Sequence, residues 1–272
     1  MPELPEVETT LRGIEPHISN NVITDIVVRN PSLRWPVPVE NLQNLIGEAV
    51  TNVERIAKYI IIHTAKGSVL LHLGMSGSLR SLPKNEPPTK HDHIDLVFSN
   101  NRVVRLNDPR RFGCCLLLQK PVKEHKLLAS LGPEPLSDEF NGDLLFDLSR
   151  KRNIPIKNFI MDGKVVVGVG NIYASESLYM AGIRPTASVK RISRARYQKL
   201  VSSIKAVLTK AIKAGGTTLN DFTQADGKPG YFSQELQVYG RNGDACNQCG
   251  KLIKSEVIGQ RNTFYCTTCQ KF

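Results

Sequence analysis

Tyr59-Ile60-Ile61-Ile62-His63-Thr64-Ala65-Lys66-Gly67-Ser68-Val69-Leu70-Leu71-His72-Leu73 holds two short apolar runs separated by a polar, glycine-bearing break. Runs of this length bounded by turn residues predict strands. Working outward, Val22–Val28, Ile94–Phe98 and Cys114–Leu118 have the same character, and Ser99-Asn100-Asn101 reads as a hairpin turn. Short strands this closely spaced predict an antiparallel sandwich or barrel over residues 1–130. Ahead of them Leu4, Val7, Leu11 and Ile14 follow helical spacing, so the first sixteen or so residues are expected to form a helix that fixes the N-terminus against a core.

Beyond Leu131-Gly132-Pro133-Glu134-Pro135 the pattern turns helical. The clearest helix starts at a Ser193 cap, places Tyr197, Leu200, Val201, Ile204, Val207, Leu208, Ala211 and Ile212 on one face, and stops at Gly215-Gly216. Its other face carries Lys199, Lys205, Lys210 and Lys213, a pattern more often solvated than bound to phosphate. Thr217 to Tyr239 is polar, glycine-bearing and aperiodic, which predicts a long loop of the kind that is either functional or disordered.

A chain of 272 residues with 40% hydrophobic and 22% charged residues has room for two globular domains and a small appendage. It contains no apolar run near the roughly 18 residues of a membrane span and no signal-peptide pattern, so a reducing cytoplasm is expected. There clustered cysteines mean metal more often than disulfides. Charge is segregated. Residues 1–149 hold 16 Lys+Arg against 18 Asp+Glu, a net of −2, whereas residues 150–272 hold 20 against 7, a net of +13. That excess favours a polyanionic partner, nucleic acid being the commonest, without choosing DNA over RNA.

Cys246-x2-Cys249, sixteen intervening residues and Cys266-x2-Cys269 form the strongest motif readable without reference to any family. Two tight turns with two thiolates each close a tetrahedral zinc site. No histidine follows His125, so the site is all-cysteine, leaves no position for substrate, and is structural. Cys114 and Cys115 lie in an apolar strand and read as core. Gln260-Arg261-Asn262-Thr263-Phe264-Tyr265 offers a cation and aromatics on an expected hairpin, with a plain surface arginine as the alternative.

Four segments are ambiguous on local grounds. Gly168-Val169-Gly170-Asn171 leads into a predicted helix with Asn171 as N-cap, and serves equally as a packing turn or an anion site. His72–Gly77 and Asn107–Gly113 are loops at strand ends, whose Met75, Arg110 and Phe112 could wedge into stacked bases or, for Met75 and Phe112, join the core. At the terminus, removal of Met1 would expose the secondary amine of Pro2 beside Glu3. An α-amino group titrates near about 7.7 to 8.0, so a usable fraction is nucleophilic at neutral pH. The competing reading makes Pro2 and Pro5 flanks of a first helical turn.

PELPEVET at the start, HLGMSG at 72–77, KHDH at 90–93, NDPRRFG at 107–113, VVGVGNIYASE at 166–176, QELQVYG at 234–240 and the four-cysteine tail together resemble the bacterial formamidopyrimidine-DNA glycosylase family, in that family's order across nearly the whole chain. The resemblance implies an α+β fold of three parts: a β-sandwich-like catalytic domain (1–130), a helix-two-turns-helix DNA-binding domain (131–237) and a zinc finger (238–272), with damaged double-stranded DNA lying across the cleft. It implies Pro2 as nucleophile, Glu3 as acid/base partner and Glu6 as support. Lys58, grouped with the catalytic residues, together with His72, Asn171 and Arg261 matches phosphate-contacting positions, and His91 matches a DNA-binding one. Met75, Arg110 and Phe112 match the residues that fill the gap left by a flipped nucleotide. Lys157 and the 217–239 loop match the region enclosing the base. The implied protein is a monomer with one structural zinc. The rival readings are an endonuclease VIII-like enzyme for oxidised pyrimidines and a non-catalytic zinc-ribbon nucleic-acid binder.

Overall fold

Leu4, Val7, Leu11 and Ile14 lie on one buried face of helix α1 (Leu4–Ile18), as their spacing predicts. The computed structural model describes residues 2–119, 121–217 and 231–272. They fall into two units, one drawn from Met1–Ala129 and Ala214–Ser233, the other from Ser130–Lys213 and Gln234–Phe272. Among the described residues no helix is long and apolar enough to cross a membrane.

The first unit is built on two four-stranded antiparallel sheets. Strand β1 (Ile23–Val28) is followed by a short helix α2 (Val39–Gln43), then by β2 (Asn52–Ile56), β3 (Tyr59–His63), β4 (Ser68–His72), β5 (Ser78–Pro83), β6 (Asp92–Phe98), β7 (Arg102–Asn107) and β8 (Cys114–Leu118). The sheet orders are β1-β6-β7-β5 and β2-β3-β4-β8. Val7, Leu11, Ile14 and Ile18 of α1 join Ile62, Val69 and Leu71 of one sheet and Leu96, Val104 and Leu106 of the other in a single apolar cluster. Cys115 belongs to it. Burial pushes the Cys114 thiol up to about 12 and raises that of Cys115 further, so both stay protonated as inert packing groups.

The apolar-run criterion finds β1, β3, β4, β6 and β8 and misses β2, β5 and β7. The missed strands carry arginines that are ion-paired rather than solvated. Arg105 of β7 is buried and donates to both carboxylate oxygens of Asp95 on β6, at 2.8 and 2.9 Å. Arg80 of β5 reaches the buried Asp92 at 2.7 Å. A sheet face can thus be completed by charge pairs that interrupt any hydrophobic pattern.

The second unit holds α3 (Gly142–Arg150), α4 (Ile156–Met161), α5 (Asn171–Ala181), α6 (Arg194–Lys213) and the hairpin of β9 (Lys254–Ile258) and β10 (Arg261–Tyr265). Helix α6 buries Tyr197, Leu200, Val201, Ile204, Val207, Leu208 and Ala211, with Ile212 half-buried. It ends ahead of Gly215 and Gly216, both with positive φ. On its polar face Lys205 donates to the Ser137 carbonyl and Lys210 pairs with Glu235, while Lys199 and Lys213 are exposed. One expectation is corrected. Gly170, not Asn171, is the N-cap of α5: its carbonyl accepts the Ala174 N–H at 2.9 Å, and Asn171 is already helical.

Candidate active site and metal centre

Pro2 and Glu3 are buried at the head of α1, Glu3 as its N-cap with its carbonyl accepting the Val7 N–H. Glu6 Oε2 accepts the Glu3 N–H at 2.8 Å, and the Glu3 side chain answers at the Glu6 N–H, closing a capping box. The other oxygen of Glu6 accepts the Thr217 N–H at 2.7 Å. Gly216 makes this approach possible. Its φ is +81°, and a Cβ there would stand 3.0 Å from Glu6 Oε1. One buried carboxylate therefore ties the start of the chain to Thr217, which bridges Tyr231 in antiparallel fashion. Of the long loop expected over 217–239, residues 218–230 lie outside the described residues.

Lys58 follows Ala57 in the two-residue turn between β2 and β3. Ala57 has φ +56°, a conformation L-residues avoid, and the turn is braced by Arg55, which donates to the Ala57 carbonyl at 2.7 Å and to Glu8 of α1 at 2.9 Å. Burial alone would raise the Glu8 carboxyl, but the Arg55 and Arg12 guanidiniums hold it below its ordinary value. Sequence reading missed this brace, although it fixes Lys58 relative to α1.

Lys58 acts electrostatically on His72. Burial first, then the Lys58 and Arg34 cations, push the imidazole down to about 4, so it is neutral at physiological pH. Its Nδ1 accepts the Gly74 N–H at 3.0 Å, which leaves the ring proton on Nε2. His72 is thereby a neutral single donor.

Three loops converge on Asp108, a fully buried residue that sequence reading did not single out. Its Oδ1 accepts from Ser76 Oγ at 3.1 Å and its Oδ2 from the Gly113 N–H at 2.7 Å. Its N–H donates to the His91 carbonyl, and its own carbonyl takes the Arg111 N–H and contacts His93 Nε2. A Cβ on Gly74 would fall 2.4 Å from the Gly113 nitrogen, so the loops are pressed backbone to backbone. Met75, Arg110 and Phe112 are thus brought together, with His91 beside them. Phe112 is 44% exposed and Met75 only half-buried, so neither is core. The Arg110 guanidinium lies 4.8 Å from the Phe112 ring centroid.

In the second unit, Asn171 Nδ2 donates to the Asn262 carbonyl at 2.9 Å, placing it next to the exposed Arg261 at the start of β10. Gly259 and Gln260, both with positive φ, make the tight β9–β10 turn that presents Arg261. Lys157 is fully buried and donates to Thr263 Oγ1 of β10, which pins the hairpin to α4. The QELQVYG segment also acts through its backbone. The N–H groups of Gln237, Val238 and Tyr239 all donate to the buried Glu176 of α5, at 2.9, 2.9 and 2.8 Å.

The four cysteines meet below this segment. Their sulfurs lie within 4.8 Å of one another, with Cys246 to Cys269 at 3.8 Å and Cys249 to Cys266 at 3.5 Å. Thiolates about 2.3 Å from a tetrahedral zinc stand ~3.8 Å apart, so the donor set fits that ion in number, chemistry and spacing. Tyr179 of α5 reaches Cys246 Sγ at 3.3 Å.

Comparison with known proteins bears on both units. Residues 1–115 match the formamidopyrimidine-DNA glycosylase N-terminal domain, residues 131–223 the helix-two-turns-helix domain of the same enzymes, and residues 243–271 the zinc finger found in them and in isoleucyl-tRNA synthetases. Formamidopyrimidine-DNA glycosylases of Alteromonas mediterranea and Xanthomonas euvesicatoria are each 56% identical over the full length of both chains. Among solved structures, a Lactococcus lactis enzyme in complex with DNA containing Fapy-dG superposes with a TM-score of 0.92 at 32% identity over all of both chains. The MutM (Fpg) protein of Thermus thermophilus gives 0.88 at 33% over 99% of this chain and 98% of that one. With the cysteine cluster matched by the family's zinc finger, the tail holds a structural zinc site, and the chain belongs to the formamidopyrimidine-DNA glycosylase family.

Proposed function

We propose that this chain is a bifunctional DNA glycosylase and abasic-site lyase of base excision repair, removing oxidised purines from double-stranded DNA. It acts in the cytoplasm as a monomer. The observation that carries the reading is the buried Pro2-Glu3 start at the head of α1, locked by Glu6, in a chain that matches the family end to end.

Once Met1 is removed, the Pro2 nitrogen is a secondary amine. Its lone pair attacks the deoxyribose C1′ as the bond to the damaged base breaks, and the base departs with the electrons of that bond. Glu3 protonates the ring oxygen as the sugar opens, leaving an iminium ion. A secondary amine has no N–H proton left to lose from that cation, so the charge persists and acidifies C2′. Loss of a C2′ proton expels the 3′ phosphate, and a second elimination expels the 5′ phosphate. Lys58, His72, Asn171 and Arg261 hold the backbone, Lys58 next to the reacting sugar. Met75 and Phe112 fill the stack, and Arg110 hydrogen-bonds the orphaned cytosine. The zinc holds the shape of the hairpin that presents Arg261 and supplies no chemistry to the bond-breaking steps.

Single-turnover cleavage of three duplexes tests this. The expected order places 8-oxoguanine opposite cytosine ahead of 8-oxoguanine opposite adenine, with thymine glycol slowest. Fastest cleavage of thymine glycol would replace the purine reading with an endonuclease VIII-like one.

A further inference from the structure

Arginines of the first unit fall into two groups. Arg12 and Arg55 pair with Glu8, Arg29 and Arg105 with Asp95, and Arg80 with Asp92, while Arg102 donates to Ser81. Among the described residues, no carboxylate pairs with Arg34, Arg110 or Arg111. These three are exposed and gather in one place. The Arg34 N–H donates to the Gly113 carbonyl at 3.1 Å, which fixes Arg34 beside the loop carrying Arg110 and Arg111. Its guanidinium lies 4.9 Å from the Trp35 ring centroid, a contact that orders a long cation without neutralising it.

The neighbourhood of Arg34 is the one already described for Lys58 and His72. Its charge is felt at Tyr59, His72 and Cys114, which pair across β3, β4 and β8. His72 offers a hydrogen bond and no charge. A phosphate met here would find the neutral donor His72 and the Arg34 cation beside Lys58, whereas Arg12, Arg29, Arg55, Arg80, Arg102 and Arg105 of this unit have carboxylate or hydroxyl partners.

We propose that Arg34 is a further phosphate-binding residue of the DNA-contacting face, acting beside Lys58 and His72. The proposal rests on the DNA glycosylase reading above. The test is the salt dependence of affinity of the full-length protein for a duplex carrying a tetrahydrofuran abasic-site analogue, followed by fluorescence anisotropy from about 50 to about 300 mM KCl. Arg34→Gln is expected to weaken binding and lower the slope of log affinity against log salt by about 0.9, the loss of one phosphate contact. Arg34→Lys should keep the slope, since it keeps the charge. A wild-type slope in Arg34→Gln, or an equal loss in Arg34→Lys and Arg34→Gln, overturns the proposal and leaves Arg34 as a cover for Trp35. Wild-type protein without salt-dependent binding would instead overturn the DNA reading on which it stands. Thermal melting of each variant separates a lost contact, which leaves the melting temperature in place, from a disturbed fold, which lowers it.

Discussion

The N-terminal sandwich and the C-terminal cysteine hairpin hold their functional residues by different means. The sandwich rests Pro2 and Glu3 on a helix whose apolar face is continuous with both sheets, and a buried carboxylate locks the first turn. The hairpin has a buried cluster of Val238, Cys246, Ile253, Phe264 and Cys266 only, two of which are metal ligands. A piece that small cannot offset its own ordering entropy by burial. The difference teaches that the proposed catalytic terminus is held without a metal, while presentation of Arg261 depends on one.

The largest expected effect breaks the weaker region alone. Apparent zinc affinity of such sites runs to roughly 10–16 kcal/mol, most of it folding energy. Cys249→Ser, or chelation, should release the metal, unfold the hairpin and abolish tight DNA binding, while the sandwich still melts cooperatively in calorimetry. Unchanged zinc content and DNA affinity in Cys249→Ser would show that the cysteines are not the ligands.

A smaller effect probes the lock in the stronger region. Both oxygens of Glu6 accept buried backbone N–H groups, so Glu6→Gln turns one acceptor into a donor facing a donor. Leaving such a group unsatisfied costs about 1–3 kcal/mol. Urea unfolding should show that loss, together with slower base excision. Wild-type stability and rate would remove Glu6 from the account.

The third effect appears only on acidification and concerns His72. Its folded value of about 4 lies below the ordinary value of about 6.5, so between those pH values the unfolded chain binds a proton that the folded chain does not. Stability is therefore full above pH 6.5 and declines as pH falls toward 4, by at most about 1.4 kcal/mol per unit. His72→Gln should flatten that decline, as measured by denaturation at a series of pH values. An imidazole titrating near 6.5 in the folded protein by NMR contradicts the neutral-donor assignment.

Features of the sandwich and hairpin that repeat a simple pattern were legible in the chain: α1 and α6 from their helical spacing, five strands from apolar runs, the metal site from cysteine spacing. The remainder turned on partners far apart in sequence. Strands β2, β5 and β7 were hidden because Arg55, Arg80 and Arg105 look solvated until Glu8, Asp92 and Asp95 are brought to them. Asp108 organises Met75, Arg110 and Phe112 through groups on three segments, and no spacing rule marks it. Family resemblance put Lys157 in the region enclosing the base, whereas its hydrogen bond to Thr263 is announced by nothing local and came only from the folded chain. The N-cap of α5 fell one residue early, since Gly170 caps through its backbone, where a polar side chain was expected. Family resemblance implied a role for Pro2, whereas its burial, the Glu3–Glu6 capping box beside it and the tie from Glu6 to Thr217 came only from the folded chain.

The central claim is that the amine of Pro2 attacks the sugar, and borohydride trapping on 8-oxoguanine:cytosine duplex tests it most directly. Protein shown by mass spectrometry to begin at Pro2 should yield a covalent protein–DNA adduct, with the crosslink mapped to Pro2, and protein retaining Met1 should yield none. A fully active, trappable protein that still carries Met1 would contradict the account.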